Sequence, residues 1–197
     1  MQALDTLLNY YDKSSAITIF VLGLLSVYLI AILWVFFYRY FQIGSWYSQE
    51  YGALEKLDMS GGSQKGMASP IISNFLQKYD TINAKALESL KMIVEKKVTR
   101  GLTFLSIVAS TSPFIGLFGT VVSILETFAA LSTADSATLT TVAPAISEAL
   151  VATAAGIFVA TFAYSFHLML KRKAYDLMNI LHRQVDLLLS EHTQENV

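Results

Sequence analysis

The chain has 197 residues, of which 54% are hydrophobic and 15% are charged, and its formal net charge at pH 7 is −1. Soluble globular domains carry about 25% charged residues, so this balance favours an integral membrane protein over the alternative of a very apolar soluble helical protein. Cysteine is absent, which excludes disulfides, thiolate metal sites and cysteine nucleophiles.

The N-terminal segment is predicted to be retained as a membrane anchor. Its first 12 residues contain two aspartates and no Lys or Arg, so the basic region of a cleavable signal peptide is lacking. No charged residue occurs from Ser14 to Tyr38, and this length exceeds the roughly 20 residues that a helix needs to cross the hydrocarbon core. We therefore predict an extramembrane segment at 1–15 and a first transmembrane helix at 16–38.

Residues 39–100 are predicted to form a helical loop. A flexible turn is expected at 60–63, where the sequence reads SGGS. Ser69 followed by Pro70 is typical of a helix N-cap with proline in the first turn. Apolar residues then recur at helical spacing, so we expect an amphipathic helix that continues without a break from Lys85 into the second span.

Two further apolar segments are long enough to cross a membrane. The second span is predicted at 101–131, the third at 142–170, and a loop at 132–141 joins them. Apolar residues at helical spacing recur in the tail at 171–197. The predicted fold class is an all-α membrane protein with three transmembrane helices, the second and third extended into a cytoplasmic helical stalk.

The distribution of Lys and Arg sets the predicted orientation. Nine of these residues lie in the 39–100 loop and four in the tail, whereas the N-terminal segment has one and the 132–141 loop has none. The positive-inside rule therefore places the 39–100 loop and the C-terminus in the cytoplasm, with 1–15 and 132–141 in the periplasm. Topology explains these basic residues, so no nucleic-acid partner is expected.

Glu148 is the only charged residue between Asp135 and Lys171, which makes it the principal candidate for chemistry. Acidic side chains in membrane helices are costly and usually face a bundle interior or a water-filled cavity, often on a proton path. The alternative is a structural carboxyl group that bonds a neighbouring helix or lies near the outer interface. Small residues that let helices approach closely surround it at helical spacing: Ala145, Ala149, Ala152, Gly156, Ala160 and Ala163.

Hydroxyl side chains are frequent on the second span. Those that fall close to one face, together with Pro113, are Thr103, Ser106, Ser110, Thr120 and Thr127, and Ser123 lies beside this face. A hydrated lumen and hydrogen bonds between helices both explain this face, and both interpretations remain open. Pro113 is expected to kink the helix and to free carbonyl groups.

No motif of an enzyme or a nucleotide-binding protein occurs in the sequence: there is no Walker loop, dinucleotide fingerprint, nucleophile elbow or HExxH. Glu126, near the outer end of the second span, is a weaker candidate than Glu148. His167, His182 and His192 have no ligand spacing. We therefore expect a protein that is not an enzyme and that binds no metal or other cofactor.

Two motifs carry a family resemblance. Ser112–Val121 reads SPFIGLFGTV, and Val142–Gly156 reads VAPAISEALVATAAG. In this order, on a three-span chain, they resemble the second and third spans of the MotA/TolQ/ExbB proton-channel family, and of its TolQ and ExbB branch in particular. The resemblance is close over residues 100–170, whereas the first span and the cytoplasmic loop match in layout only.

The resemblance implies a pentamer of this chain in the bacterial inner membrane, around the single transmembrane helices of TolR- or ExbD-like partners. Work would pass to a TolA- or TonB-like protein. It assigns Glu148, Thr120 and Thr153 to the proton pathway, beside an aspartate of the partner. Residues expected to line the pore or pack the helices are Ser110, Pro113, Gly116, Gly119, Ser123, Thr127, Ala145, Ala149, Ala152 and Gly156.

The chain departs from the family pattern at several positions. The family's GTVWGI reads GTVVSI at Gly119–Ile124, Ala145 replaces a glycine, and Phe162 stands where the family has a proline. None of these changes removes a proton-pathway residue. Ser112-Pro113 and the entry to the third span at Ala137–Leu139 favour TolQ over ExbB.

The leading hypothesis is a subunit of a TolQ–TolR or ExbB–ExbD type complex that converts the proton motive force into work, for outer-membrane integrity or TonB-dependent import. A flagellar-stator-like motor subunit is a second hypothesis, although the loop is short and has no dense charge cluster. A structural membrane scaffold, whose polar residues only join helices, is the third.

Overall fold

The computed structural model describes residues 16–59, 69–76, 84–132 and 139–194, and within these ranges the chain is helical and has no strand. The helices of the described ranges are α1 (Ala16–Met59), α2 (Pro70–Leu76), α3 (Ala84–Val98), α4 (Leu102–Ser132) and α5 (Leu139–Gln194). The predicted segment 1–15, the turn at 60–63 and most of the 132–141 loop lie outside the described residues.

The prediction of three membrane-spanning helices is confirmed by length and composition. Three described helices are long and apolar enough to cross a membrane, over Ala16–Lys56, Leu102–Ser132 and Val142–Leu187. In each, 22% of the most apolar window is buried within the chain, so most of that surface is left for lipid or for other chains. The protein is therefore a membrane protein.

Two of these helices are much longer than a bilayer requires. α1 has 44 residues and α5 has 56. At about 1.5 Å per residue they are roughly 66 Å and 84 Å long, against a hydrocarbon core of about 30 Å. The sequence predicted a first span that ends at residue 38, whereas α1 continues to Met59 because Ile43, Glu50 and Leu54 bury one helix face at seven- and four-residue spacing.

The predicted unbroken helix from Lys85 into the second span is wrong. α3 ends at Val98 and α4 begins at Leu102, and Gly101 between them has a φ of 93°, in the left-handed region that favours glycine. The guanidinium of Arg39 donates to the carbonyl oxygens of Lys97 at 2.6 Å and of Val98 at 2.8 Å. These carbonyl groups lie at the end of α3 and lack partners within the helix. The buried guanidinium group of Arg39 therefore supplies the hydrogen bonds that they would otherwise miss.

The predicted N-cap at Ser69-Pro70 is confirmed. α2 begins at Pro70, and the hydroxyl oxygen of buried Ser69 accepts a hydrogen bond from the Ile72 N–H at 3.0 Å. The buried carboxylate of Glu50 accepts the Ile71 N–H at 3.1 Å. Two of the unpaired N–H groups at the start of α2 are thus satisfied, one locally and one by α1.

The chain divides into two units, of which the first comprises the described parts of Met1–Trp34 and Phe104–His167 and the second those of Val35–Thr103 and Leu168–Val197. The fully buried side chains of the first unit include Val21, Leu25, Ile32, Leu105, Val108, Ala149, Ala152 and Ala163. Those of the second unit include Ile43, Ile72, Leu87, Leu90, Val94, Leu177, Leu181 and Val185. The second set confirms the helical apolar stripes predicted for the loop and the tail.

Candidate functional site

The candidate site lies in the first unit, where α4 and α5 cross at two glycines. A Cβ atom placed on Gly116 would lie 2.6 Å from the carbonyl oxygen of Ala152 and 3.2 Å from the Cα atom of Gly156. A Cβ atom placed on Gly156 would lie 2.5 Å from the carbonyl oxygen of Ser112. No side chain fits at these distances, so the two helix backbones are in direct contact.

The crossing brings together two threonines that the sequence assigned to one pathway. Thr120, one turn beyond Gly116, hydrogen-bonds the hydroxyl group of Thr153 across the two helices. Its oxygen also lies 2.9 Å from the carbonyl oxygen of Ala149 and 3.2 Å from that of Gly116. A hydroxyl group has one hydrogen and can donate to one of these two carbonyl oxygens. The shorter distance favours donation from Thr120 to Ala149, and Thr120 then accepts the hydrogen bond from Thr153. Thr120 is buried and Thr153 is half-buried.

Small side chains set the spacing of three helices around this pair. A Cβ atom placed on Gly119 would lie 3.0 Å from Cγ1 of Val21 on α1 and 3.3 Å from Cβ of Ala152 on α5. Ala149 and Ala152 are fully buried. The residues that the sequence assigned to pore lining or helix packing at these positions therefore lie inside the first unit.

Glu148 lies on α5, the helix that also carries Thr153 of the threonine pair. Its side chain is half-buried, and it directly precedes Ala149, whose carbonyl oxygen contacts Thr120. Thr153 follows five residues later, about 140° further around the helix at about 100° per residue. The carboxyl group and the Thr153 hydroxyl therefore leave α5 in different directions. Ala145, about one turn before Glu148, is also half-buried.

The other hydroxyl groups of the predicted α4 face bond mostly to their own helix. Thr127 donates to the carbonyl oxygen of Ser123 at 2.8 Å, and Ser110 donates to that of Ser106 at 2.9 Å. Ser123 is buried, Thr127 is half-buried and Ser110 is exposed. Half-buried Pro113 lies inside α4 without ending it. Only Thr120 of this face has a described hydrogen bond to another helix.

An open groove lies on the surface of the first unit, between α4 and α5. Its volume is about 330 Å³, and it is lined by Ala109, Ser110, Ala160, Thr161, Tyr164 and Ser165. Ser110 was expected to line the pore or pack the helices, whereas the three hydroxyl residues of α5 were not expected at this site. Their spacing was the available signal, because residues three or four positions apart share a helix face.

The weaker candidates lie apart from the crossing along their helices. Glu126 is exposed near the C-terminal end of α4. His167 is half-buried and His182 is exposed, whereas His192 falls among the side chains that are not described. Within the described ranges, no group of three or more His, Asp or Glu residues is placed to hold a metal ion.

Comparisons with known proteins bear on this site. Residues 63–183 match the model of the MotA/TolQ/ExbB proton channel family, a range that includes both helices of the crossing. The chain is 42% identical over 192 residues to a putative biopolymer transport protein ExbB-like 1 of Helicobacter pylori, a similarity that covers 95% of this chain and 99% of that protein.

Two shorter similarities concern the TolQ and ExbB branches. The chain is 56% identical over 66 residues to the Tol-Pal system protein TolQ of Pseudomonas aeruginosa, covering 34% of this chain and 29% of that protein. It is 40% identical over 74 residues to the biopolymer transport protein ExbB of Salmonella typhimurium, covering 38% of this chain and 30% of that protein.

Proposed function

Because the chain belongs to the MotA/TolQ/ExbB proton channel family, we propose that it is the helix-bundle subunit of a proton-driven motor of the TolQ–TolR or ExbB–ExbD type. Such a motor converts the proton motive force into work on the cell envelope, for outer-membrane integrity or TonB-dependent import. The observation that carries the proposal is the hydrogen bond between Thr120 and Thr153 across the α4–α5 crossing, made by the helix that also carries Glu148.

Glu148 is the residue that we propose to exchange protons. An ionised carboxylate is costly within hydrocarbon, so a negative charge on Glu148 has to be matched by a proton or by a donor on a partner helix. The charge state of Glu148 therefore depends on whether a proton or the partner helix is present. A neutral amide at position 148 keeps the size of the side chain but cannot exchange a proton.

Thr120 and Thr153 are proposed to hold a water or a partner carboxyl group on the same proton path as Glu148. Their hydrogen atoms are already directed, because Thr120 donates to the carbonyl oxygen of Ala149 and Thr153 donates to Thr120. The oxygen lone pairs that remain accept hydrogen bonds from a water or from a protonated acid. The pair therefore presents acceptors in a geometry that the backbone contact at Gly116 and Gly156 holds in place.

The proposed partners are further copies of this chain in a pentamer, a single-span TolR- or ExbD-like protein in its pore, and a TolA- or TonB-like protein. The proposed location is the bacterial inner membrane, with the N-terminus in the periplasm and the C-terminus in the cytoplasm. The excess of Lys and Arg at 39–100 and 171–183 supports this orientation. The outward apolar surface of the three long helices supports assembly with other membrane chains.

Proton flux through the reconstituted complex tests the proposal. The chain is co-expressed with a single-span TolR- or ExbD-like protein from the same genome and reconstituted in liposomes with an imposed pH gradient. We expect Glu148→Gln to lower the flux by at least about tenfold, because one positioned proton carrier is worth roughly two to four orders of magnitude in rate. Glu126→Gln is the matched control, since it makes the same change at an exposed position of the first unit.

Assembly is measured in the same preparations, by co-purification of the partner with each variant. Equal assembly with lost flux assigns Glu148 to proton transfer and distinguishes a motor from a scaffold. Full flux in Glu148→Gln would contradict the proposed role of this residue. Loss of motility, rather than loss of outer-membrane integrity or TonB-dependent import, in a deletion strain would favour a stator-like subunit instead.

A further inference from the structure

The groove between α4 and α5 brings four hydroxyl side chains together on the described surface of the first unit. We propose that it is a water-filled segment of the proton path, which joins the Thr120–Thr153 pair to the cytoplasmic end of the membrane helices. The inference rests on the proposed function and deepens it, because it adds Thr161, Tyr164 and Ser165 to the residues that conduct. Its occupants are water and hydronium.

The hydrogen bonds of the groove determine what it binds. Ser110 donates to the carbonyl oxygen of Ser106 at 2.9 Å, Thr161 to that of Ile157 at 2.9 Å, and Ser165 to that of Thr161 at 2.8 Å. All three hydroxyl hydrogens are therefore directed at the helices that carry them. These three hydroxyl groups therefore offer only oxygen lone pairs to the groove, so they accept hydrogen bonds there and do not donate them.

Pro113 leaves a backbone carbonyl group of a lining residue without its helical partner. Proline has no N–H, so the carbonyl group of Ala109 lacks the helical partner that residue 113 would otherwise supply. Ala109 lines the groove. A wall of hydroxyl oxygens and one freed carbonyl favours water and hydronium, which bring hydrogens, and disfavours anions, which bring further acceptors.

Tyr164 is the exception among the lining residues. Its side chain is 58% exposed, and among the described residues its hydroxyl group has no hydrogen-bond partner. A phenol both donates and accepts, so Tyr164 can hold a water whose remaining hydrogen points to the acceptor wall. Each water in such a file takes up one proton and releases another. Net charge therefore crosses the groove without any side chain becoming ionised.

The groove continues the face on which the threonine pair lies. Ala160 and Tyr164 follow Thr153 by seven and eleven residues, which places both within about 20° of it around α5 and roughly 10–17 Å along the axis. A volume of about 330 Å³ corresponds to about ten waters at roughly 30 Å³ each. That number is sufficient for a file of waters along the groove, whose lining begins at Ala160.

If the groove faced lipid, apolar side chains would be expected at this exposure, and many of the exposed side chains elsewhere on α4 and α5 are apolar. The side chains that are exposed elsewhere on α4 and α5 include Phe114, Leu117, Phe118, Val121, Leu150, Val151 and Phe158. Four hydroxyl residues share one groove against this apolar background. Serine and threonine bonded to their own helix are tolerated in lipid, but a tyrosine hydroxyl without a partner is costly there.

Conduction through the groove is tested with the complete complex in liposomes. The variants are Tyr164→Phe and the combination of Thr161→Val with Ser165→Ala, which remove hydroxyl groups and keep the size of each side chain. Ser26→Ala is the matched control, because Ser26 is an exposed serine of the same unit that also donates to its own helix, at 2.8 Å. We expect the groove variants to lower proton flux by about tenfold and the control to leave it unchanged.

Water access is tested independently of flux. The chain has no cysteine, so Ser165→Cys introduces a single thiol. A membrane-impermeant methanethiosulfonate reagent reacts with thiols that meet water, because ionisation precedes reaction. We expect Ser165→Cys in the complex to be labelled, and Phe158→Cys, on the apolar surface of the same helix, to resist labelling.

The experiments distinguish an error in the groove proposal from an error in the proposed function. If Glu148→Gln abolishes flux while the groove variants match Ser26→Ala, the motor stands and the groove is not a path. If Ser165→Cys resists the reagent as Phe158→Cys does, lipid or a partner helix fills the groove and the proposal is overturned. If Glu148→Gln conducts normally, the proposed function itself fails.

Discussion

Replacing Gly156 with alanine should force α4 and α5 apart at the point where the threonine pair forms. The new Cβ atom would lie 2.5 Å from the carbonyl oxygen of Ser112, about 0.9 Å short of the 3.4 Å at which ordinary contact begins. The obstructing atom belongs to the backbone of α4 and cannot rotate away. The two helices must therefore separate locally by about that distance.

This separation has a calculable effect on the site. It would lengthen the distance between Thr120 Oγ1 and the carbonyl oxygen of Ala149 from 2.9 Å to about 3.8 Å, beyond hydrogen-bonding range. Overpacking costs about 1–3 kcal/mol, and a lost hydrogen bond between membrane helices adds about 0.6 kcal/mol. Alanine also gains about 1 kcal/mol over glycine within a helix, so we expect Gly156→Ala to lower the free energy of unfolding by about 1–3 kcal/mol and to reduce proton flux.

SDS titration of the protein in mixed micelles measures the loss of stability, and the liposome assay measures flux. Gly23→Ala is the matched control, because a Cβ atom at Gly23 meets nothing within 4 Å. Alanine is about 1 kcal/mol better than glycine within a helix, so the control should be at least as stable as the parent chain. Equal unfolding midpoints for Gly156→Ala and Gly23→Ala, with flux retained, would refute the importance of the crossing.

The second unit offers two further predictions. Arg39→Ala removes the hydrogen bonds from the guanidinium group to the end of α3, each worth about 1.5–3 kcal/mol, and should speed amide hydrogen exchange around Leu102. Arg100→Ala, at an exposed arginine, is the control. Unchanged exchange in Arg39→Ala would contradict the capping role. Glu50→Ala leaves the Ile71 N–H without its acceptor and should lower the midpoint of thermal unfolding. Glu50→Gln keeps an acceptor oxygen and should lower this midpoint less. Equal losses in the two variants would show that the hydrogen bond is unimportant.

Local and compositional features of the fold were predictable from the sequence. The three spans follow from composition alone, because a helix that crosses hydrocarbon must carry a long uncharged run. The N-cap at Ser69 also needs only neighbouring residues, since its hydroxyl reaches an N–H three positions along the chain. Both predictions concern interactions within a few helical turns.

Features that depend on distant residues were missed. The break at Gly101 had a local signal, a glycine after basic residues, but apolar spacing continued across it and favoured an unbroken helix. What stabilises the break is Arg39, some 58 residues earlier in the chain, and the sequence offered this residue only as a flank of the first span. The extension of α1 to Met59 likewise depends on a face that is buried only in the folded unit.

The candidate site was predictable in part. The family resemblance selected Thr120 and Thr153, but helical spacing assigns a side chain to a face and does not identify its partner on another helix. The contact between Gly116 and Gly156 sets that pairing, and the Thr161, Tyr164 and Ser165 groove appears only when the helices are packed.

The acceptor that holds Thr120 is a main-chain oxygen, and this has a consequence for mutational tolerance. Every amino acid carries the same carbonyl group, so no single codon change at position 149 deletes the anchor of this hydroxyl. Changes at that position act only through the bulk of the new side chain. The hydrogen bond of Thr120 therefore depends on the identity of the two glycines that bring α5 close to α4. It does not depend on the identity of the residue that supplies the carbonyl oxygen.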